Sequence, residues 1–179
     1  MITLLRSRRS IRKFTGQKIS KDIQDLLIEA MLRSQSSRNI RPWEFIIVDD
    51  KKKLEHLSKA KQHGSGLIKG AALAVVVIAD TNKSDVWVED ASIASIQLQL
   101  MADSLGLGSC WVQIRNRMAT DELSSDQFVK QALEVPDNYS VESVISIGYP
   151  AESPKPHSKE NLQYDKVKYG SFSKPFYQD

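Results

Sequence analysis

Apolar positions along the chain change their period several times, and each change marks an element. Ile23, Leu26, Leu27, Ala30 and Met31 recur every three or four residues, which predicts a helix over roughly 21–33 with one face on a core. Ser20 stands where an N-cap hydroxyl belongs, and Asp22 places an anion in the first turn, where the helix dipole favours it. Ile2 to Ser7 reads as a shorter helix, and a charged helix is predicted over about 51–60. Trp43–Val48 reads as a strand. Ala71–Ala79 is almost wholly apolar and β-branched at its middle, the pattern of a strand covered on both faces. Ser143–Gly148 reads as the last strand, and Thr120 is expected to cap a helix over about 121–133. Strands and helices intermingle without repeats, so the expected class is α+β, with helices packed on one sheet.

The longest predicted helix covers 85–105. Trp87, Ala91, Ala94, Leu98, Met101 and Leu105 follow four-three-four-three-four spacing, and Ile93, Ile96 and Leu100 add a second stripe. A helix apolar over so much of its circumference is covered on more than one side. Two readings follow: a subunit interface added to the core, or the central helix of a monomer. Gly106-Leu107-Gly108 then ends the helix with a glycine C-cap, and Ser109-Cys110-Trp111-Val112-Gln113-Ile114 enters a strand. From Ala151 onward periodicity fades. Pro154, Pro156, many lysines and the rings of Tyr164, Tyr169, Phe172 and Phe176 describe an extended tail that covers a surface, such as that of a second subunit.

Composition narrows the class. The chain has 179 residues, 41% hydrophobic and 26% charged, enough for one domain with a full core. The formal net charge is only +3, yet residues 1–21 hold seven cations and no acid: Arg6, Arg8, Arg9, Arg12, Lys13, Lys18 and Lys21. Guanidinium forks grip phosphate through paired, charge-assisted hydrogen bonds, and Ser10 adds a neutral donor. The segment therefore reads as a site for a phosphorylated small molecule or nucleic acid, or else as a solvated basic arm. A local cluster in a nearly balanced chain favours the small anion. One cysteine, Cys110, leaves no internal disulfide framework and fits a reducing compartment, so the cytoplasm is expected. Three scattered histidines argue against zinc, and no apolar run approaches membrane-spanning length.

Other chemistries lack their parts. There is no Gly-x-Ser-x-Gly elbow, no Walker loop and no Gly-x-Gly-x-x-Gly between a strand and a helix. What remains is a cation cluster, the polar loop Ser34–Trp43, a glycine-rich segment before Trp111 and an aromatic tail. Those parts suit a phosphorylated aromatic cofactor that brings its own reactivity.

Four stretches in register carry a resemblance: Arg8-Arg9-Ser10-Ile11-Arg12-Lys13-Phe14, Ser36-Ser37-Arg38-Asn39 leading to Pro42-Trp43, Gly106-Leu107-Gly108-Ser109-Cys110-Trp111-Val112, and Ile147-Gly148-Tyr149-Pro150. Over essentially its whole length the chain resembles the FMN-dependent nitroreductase family, in its compact microbial branch. The resemblance implies a sandwich with a central, mostly antiparallel sheet flanked by helices. It also implies one FMN-binding domain over 1–179, an intertwined homodimer with residues 155–179 wrapping the partner, and NADH or NADPH as electron donor. Carried over by position, Arg8, Arg9 and Ser10 serve the FMN phosphate and ribityl chain, and Arg12 the pyrimidine edge of the ring, as the catalytic cation. Ser36, Ser37 and Asn39 form the loop from the other subunit, while Trp111, Val112 and Gln113 run past the ring. Gln35 departs from the family's usual proline. His157 stands where many members carry a phosphate-binding arginine, which leaves Lys155 or Lys159 to supply that charge.

The implied reaction is alternating hydride transfer through flavin N5, from the nicotinamide to a nitroaromatic, quinone or similar small acceptor. No metal, membrane or nucleic acid is expected. The same fold also accommodates dehalogenation, enoyl-type reduction or flavin degradation, because its acceptor pocket is built by variable loops; here those are residues 115–127 and the tail. A colourless anion-binding module is the remaining alternative.

Overall fold

In the computed structural model, which describes residues 1–177, strand β2 (Leu73–Asp80) is buried at all 8 of its positions. Its β-branched run packs on both sides, as a strand enclosed by two helical layers must. Around it the sheet is assembled in the order β1-β2-β4-β3, with β1 at Trp43–Val48, β3 at Gly108–Gln113 and β4 at Tyr139–Gly148, every pair antiparallel. The chain is therefore α+β, with a sheet antiparallel throughout.

One face of the sheet carries α3 (Lys51–Leu57) and α5 (Ser125–Leu133) over Val76, Ile78, Val112, Ile114 and Val144. The other carries α2 (Lys21–Leu32) and α4 (Trp87–Ser104) over Val75, Val77, Ile145 and Ile147. The first helix, α1 (Ile2–Ser7), buries nothing and leads into the basic stretch. Of the two stripes on α4, Ala91, Ala94 and Leu98 are fully buried. Ile93, Ile96 and Leu100 instead line an apolar groove of about 680 Å³ with Leu4, Leu26 and Ala30.

Several boundaries differ from the expected ones. Thr120 does not cap a helix: its Oγ accepts from the Leu123 and Glu122 N–H groups in a tight turn, and Ser124 caps α5 by accepting from the Gln127 N–H at 3.1 Å. A hydroxyl satisfies whichever nearby donor its backbone presents, so a turn and a cap look alike in sequence. Strand β4 begins four residues before the expected Ser143, and a register shift opposite Val77/Ile78 falls at Glu142. That bulge hides the start of the strand, because the alternation breaks there.

Residues 10–14 complete the sheet. The Ile11 N–H bonds the Ser109 carbonyl at 2.9 Å, the Thr15 N–H bonds the Tyr149 carbonyl at 3.0 Å, and the Ala151 N–H bonds the Lys13 carbonyl at 2.9 Å. Such contact needs bare backbone beneath it. A Cβ on Gly108 would lie 2.6 Å from Ile11 Cβ, and one on Gly148 would lie 3.0 Å from the Phe14 ring. Beyond Pro154 every described residue is exposed. The tail folds on itself through the Tyr169 N–H to Lys174 carbonyl bond and edge-to-face contacts of Tyr177 with the Tyr164 and Phe176 rings. Among the described residues no helix is long and apolar enough to cross a membrane.

Gly108→Ala is expected to lower unfolding stability by about 1–3 kcal/mol, the usual cost of forcing a methyl into packed space. Gly66→Ala, where nothing lies within 4 Å, is expected to stay within about 0.5 kcal/mol of wild type. Urea denaturation of the two variants checks the contrast.

Candidate functional site

Helix α4 separates the predicted site residues into two groups. At its C-terminal end, Ser7, Arg9, Ile11, Asp103, Gly106, Gly108, Pro150 and Glu152 enclose a cleft of about 210 Å³. One Arg9 amino group donates to the Lys155 carbonyl, which ties down the start of the tail and leaves four further N–H donors on that guanidinium. Arg8 lies close enough to Asp103 to oppose the effect of burial, which pushes that carboxyl above its ordinary value. Ser10 bridges Ser109 at the edge of β3. Arg12 is exposed, and no carboxylate lies within ion-pair distance of its side chain among the described residues.

Glu152 went unnoticed in the sequence, yet it organises the basic stretch. Its Oε1 accepts from the Arg12 N–H at 2.5 Å and the Lys13 N–H at 3.2 Å. Those two donors, the Arg12 N–H foremost, hold the carboxyl below its ordinary range. A lone acid after Tyr149-Pro150 gave no signal that it would face a segment 140 residues earlier.

At the other end of α4, Asp90 is buried and accepts from the Ser37 N–H at 2.7 Å and from the Ser84 hydroxyl at 3.3 Å. This carboxylate, also missed in sequence, fixes the loop of Ser36, Ser37 and Asn39. The Arg41 N–H bonds Ser36 Oγ at 2.9 Å, Arg41 Nε bonds Asn39 Oδ1 at 2.9 Å, and Arg38 pairs with Asp85. Arg38, Asn39 and Arg41 take φ values of 51°, 55° and 53°, the left-handed region. From Asp90 to Asp103 the helix rises about 20 Å at 1.5 Å per residue. Within one chain the loop and the arginine cleft therefore stay apart.

Strand β3 is an edge strand, and the residue alternation sets what it offers. Because the Ser109 carbonyl points outward to Ile11, Trp111 and Gln113 turn their backbone N–H and C=O groups to the same open edge. Val112 is buried between them. Trp111 Nε1 donates to Gln113 Oε1 at 2.9 Å, and Gln113 Nε2 donates to the Arg115 carbonyl at 3.1 Å, so both side chains are held in place. Behind them Glu142 is buried with Oε2 unpartnered. Burial pushes its carboxyl up, while the Gln113 amide and the Arg115 guanidinium oppose that. Lys155 and His157 are both exposed, and only the Lys155 carbonyl reaches the cleft.

At this end of the molecule the Arg9 guanidinium stands at a cleft walled by the bare backbone of Gly106 and Gly108, and the open edge of β3 carries outward N–H groups. Among the described residues no group of three His, Cys, Asp or Glu side chains could hold a metal ion.

The model of the nitroreductase family matches residues 5–64 and 54–149. An FMN-dependent nitroreductase from Clostridium difficile R20291 superposes with a TM-score of 0.95 at 48% identity, over 96% of this chain and 100% of that one. A protein of Archaeoglobus fulgidus, provisionally named NADH dehydrogenase/NAD(P)H nitroreductase, is 36% identical over 84% of this chain and 86% of its own. The NADPH:FMN oxidoreductase of Vibrio harveyi, 23% identical, shares the fold with a TM-score of 0.81 over 99% of this chain and 78% of its own.

Glu152 stabilises the fold as a carboxylate, and the sign follows from its lowered pKa. Its contribution is complete above the unfolded value of 4.5 and is lost as pH falls through the folded value. Glu152→Gln should therefore unfold at lower denaturant than wild type at pH 7, with the two midpoints converging in acid. Denaturant midpoints across that range test it; an offset that persists in acid would contradict the role.

Proposed function

The chain belongs to the nitroreductase family, and on that footing we propose that it is an FMN-dependent NAD(P)H oxidoreductase whose active sites form between two copies. The supporting observation is the separation of the two groups by the length of α4. Each chain has one arginine cleft and one serine-asparagine loop, set at opposite ends of α4. A second copy related by a two-fold axis brings the loop of each chain to the cleft of the other, twice. The apolar groove along Ile93, Ile96 and Leu100, and the exposed ring-bearing arm of residues 155–177, are the surfaces such a pairing would cover. The whole chain would then act as one FMN-binding unit with that arm around its partner, and its single buried thiol suits the cytoplasm.

In this reading Arg8, Arg9 and Ser10 hold the phosphate and ribityl chain, with Lys155 and His157 at the cleft's outer rim. Ser36, Ser37 and Asn39 of the other subunit close over the ring, and the outward N–H groups of Trp111 and Gln113 face its reactive edge beside Val112. FMN held there would supply the redox chemistry, hydride acceptance at N5 from NADH or NADPH and electron delivery to a nitroaromatic, quinone or similar small acceptor. Arg12 carries the catalytic role: its uncommitted guanidinium stabilises negative charge on the ring's pyrimidine edge, where a fixed cation acts without reorganising. Glu152, holding the Arg12 backbone, sets where that cation stands. No side chain is required as a nucleophile.

The purified protein should be yellow, or become so with FMN, and run as a dimer. Arg9→Ala and the pair Ser36→Ala/Asn39→Ala should each lose most flavin. Mixing and refolding the two variants should restore about a quarter of the wild-type sites, because half of the dimers are mixed and each regains one intact site. Failure of the mixture to recover flavin would place both groups in one chain and end the shared-site reading. Arg12→Ala should keep flavin but be reduced by NADH at least about tenfold more slowly, as stopped-flow absorbance would register; an unchanged rate and flavin potential would remove Arg12 from the chemistry.

A further inference from the structure

Past Gln113 the chain builds a second concavity that neither the arginine cleft nor the polar loop uses. Trp87, Arg115, Arg117, Met118, Ser124 and Asp126 are among the residues that enclose about 590 Å³ there, within the range of small-molecule sites. The walls are rigid. The Arg117 N–H bonds the Ile114 carbonyl at 3.1 Å across a tight turn, whose Asn116 has φ 56°. Met118 then bridges Ser124, and the Ser125 N–H bonds the Arg117 carbonyl at 2.8 Å. This turn sets Arg115 and Arg117 on either side of one residue, both toward the concavity. The Arg115 guanidinium lies 5.7 Å from the centre of the Trp87 ring, which keeps it from swinging into solvent.

The charges around this concavity are unbalanced. Arg115 and Arg117 have no carboxylate within ion-pair distance among the described residues, nor does Lys61. Asp126, the acid in the lining, is occupied in accepting from the Val141 N–H at 2.7 Å. Glu142 lies buried behind Arg115, and Glu89, exposed on α4, is close enough to Glu142 to add to the effect of its burial. Lys61, outside the lining, is half-buried, and its ammonium is pushed below its ordinary value by burial and then by the Arg117 charge. The indole of Trp87 and the thioether of Met118 add flat apolar surface to a lining that Asn116, Ser124 and Ser140 otherwise make polar.

We propose that the concavity bounded by Trp87, Arg115, Arg117 and Met118 binds a planar compound bearing a carboxylate, and that such a carboxylated aromatic is the acceptor class this chain prefers. The two guanidiniums take the carboxylate, and Met118 and the indole edge flank the ring. The strand bearing Trp111 and Gln113 ends at this concavity, so the bound compound adjoins the edge assigned to the cofactor. The acceptor role rests on the function proposed above; the binding does not.

Calorimetric titration of the purified, FMN-treated protein with benzoate, benzyl alcohol and inorganic phosphate tests it. Benzoate should bind at least about tenfold more tightly than either of the others. Arg117→Gln, on an exposed side chain whose guanidinium bonds the neighbouring Asn116 carbonyl, should remove that preference, as should Arg115→Gln if it folds. Benzyl alcohol or phosphate binding as well as benzoate, or an Arg117→Gln protein that keeps the preference, overturns the proposal. In parallel assays 4-nitrobenzoate should show a KM at least about tenfold below that of nitrobenzene, and Arg117→Gln should equalise the two. A colourless protein that still binds benzoate would refute the flavin reading and leave the site. A yellow protein active on nitrobenzene without benzoate preference would refute the site alone.

Discussion

A helix cannot be shortened without losing a turn, and α4 acts as a spacer for that reason. Its 18 residues carry a carboxylate near each end, Asp90 holding the serine loop and Asp103 lining the arginine cleft. Between them Ala91, Ala94, Leu98 and Ala102 are wholly buried against the sheet, so the spacer can neither tilt nor slide without opening the core. Everything proposed about a shared site follows from the span of this one packed helix. The side that does not touch the sheet is apolar as well, and it lies between the two ends where a second copy would have to approach.

The helical and strand content was legible because the pattern was strong where burial is two-sided. Leu73–Asp80 and the Trp87–Leu105 stripe came through with boundaries shifted by a residue or two. The antiparallel order was not legible, since alternation says which face a residue occupies and nothing about its neighbour strand. The bulge at Glu142 and the switch of cap from Thr120 to Ser124 were lost for a related reason: both depend on which donors the folded backbone turns toward a side chain. Of the proposed site, the cation cluster, the polar loop and the strand past Gly108 could be read from the sequence. Asp90, Asp103 and Glu152 could not. Each is an acid whose role is to hold backbone or offset a guanidinium across a long separation in sequence, and single acids carry no local signature of that.

Electrostatics in the molecule run in two directions. Around residues 8–13 acids sit close to the cations, and Glu152 is held ionised by backbone donors. Behind Gln113, burial works the opposite way on Glu142 and favours its neutral form. One end of the edge strand is thus tuned by exposed, hydrogen-bonded charge and the other by desolvated charge. The exposed end responds to salt far more than the buried end does.

Arg38, Asn39 and Arg41 sit in the left-handed region, where a side chain costs about 1–2 kcal/mol relative to the ordinary helical region. Glycine would remove that cost at any of the three, so the loop as written forgoes stability that a simpler residue would supply. What it keeps in exchange is a guanidinium, an amide and a second guanidinium projecting from a backbone already curled into shape. Side-chain polarity and sturdiness compete there, and the chain keeps the polar groups at a cost in stability.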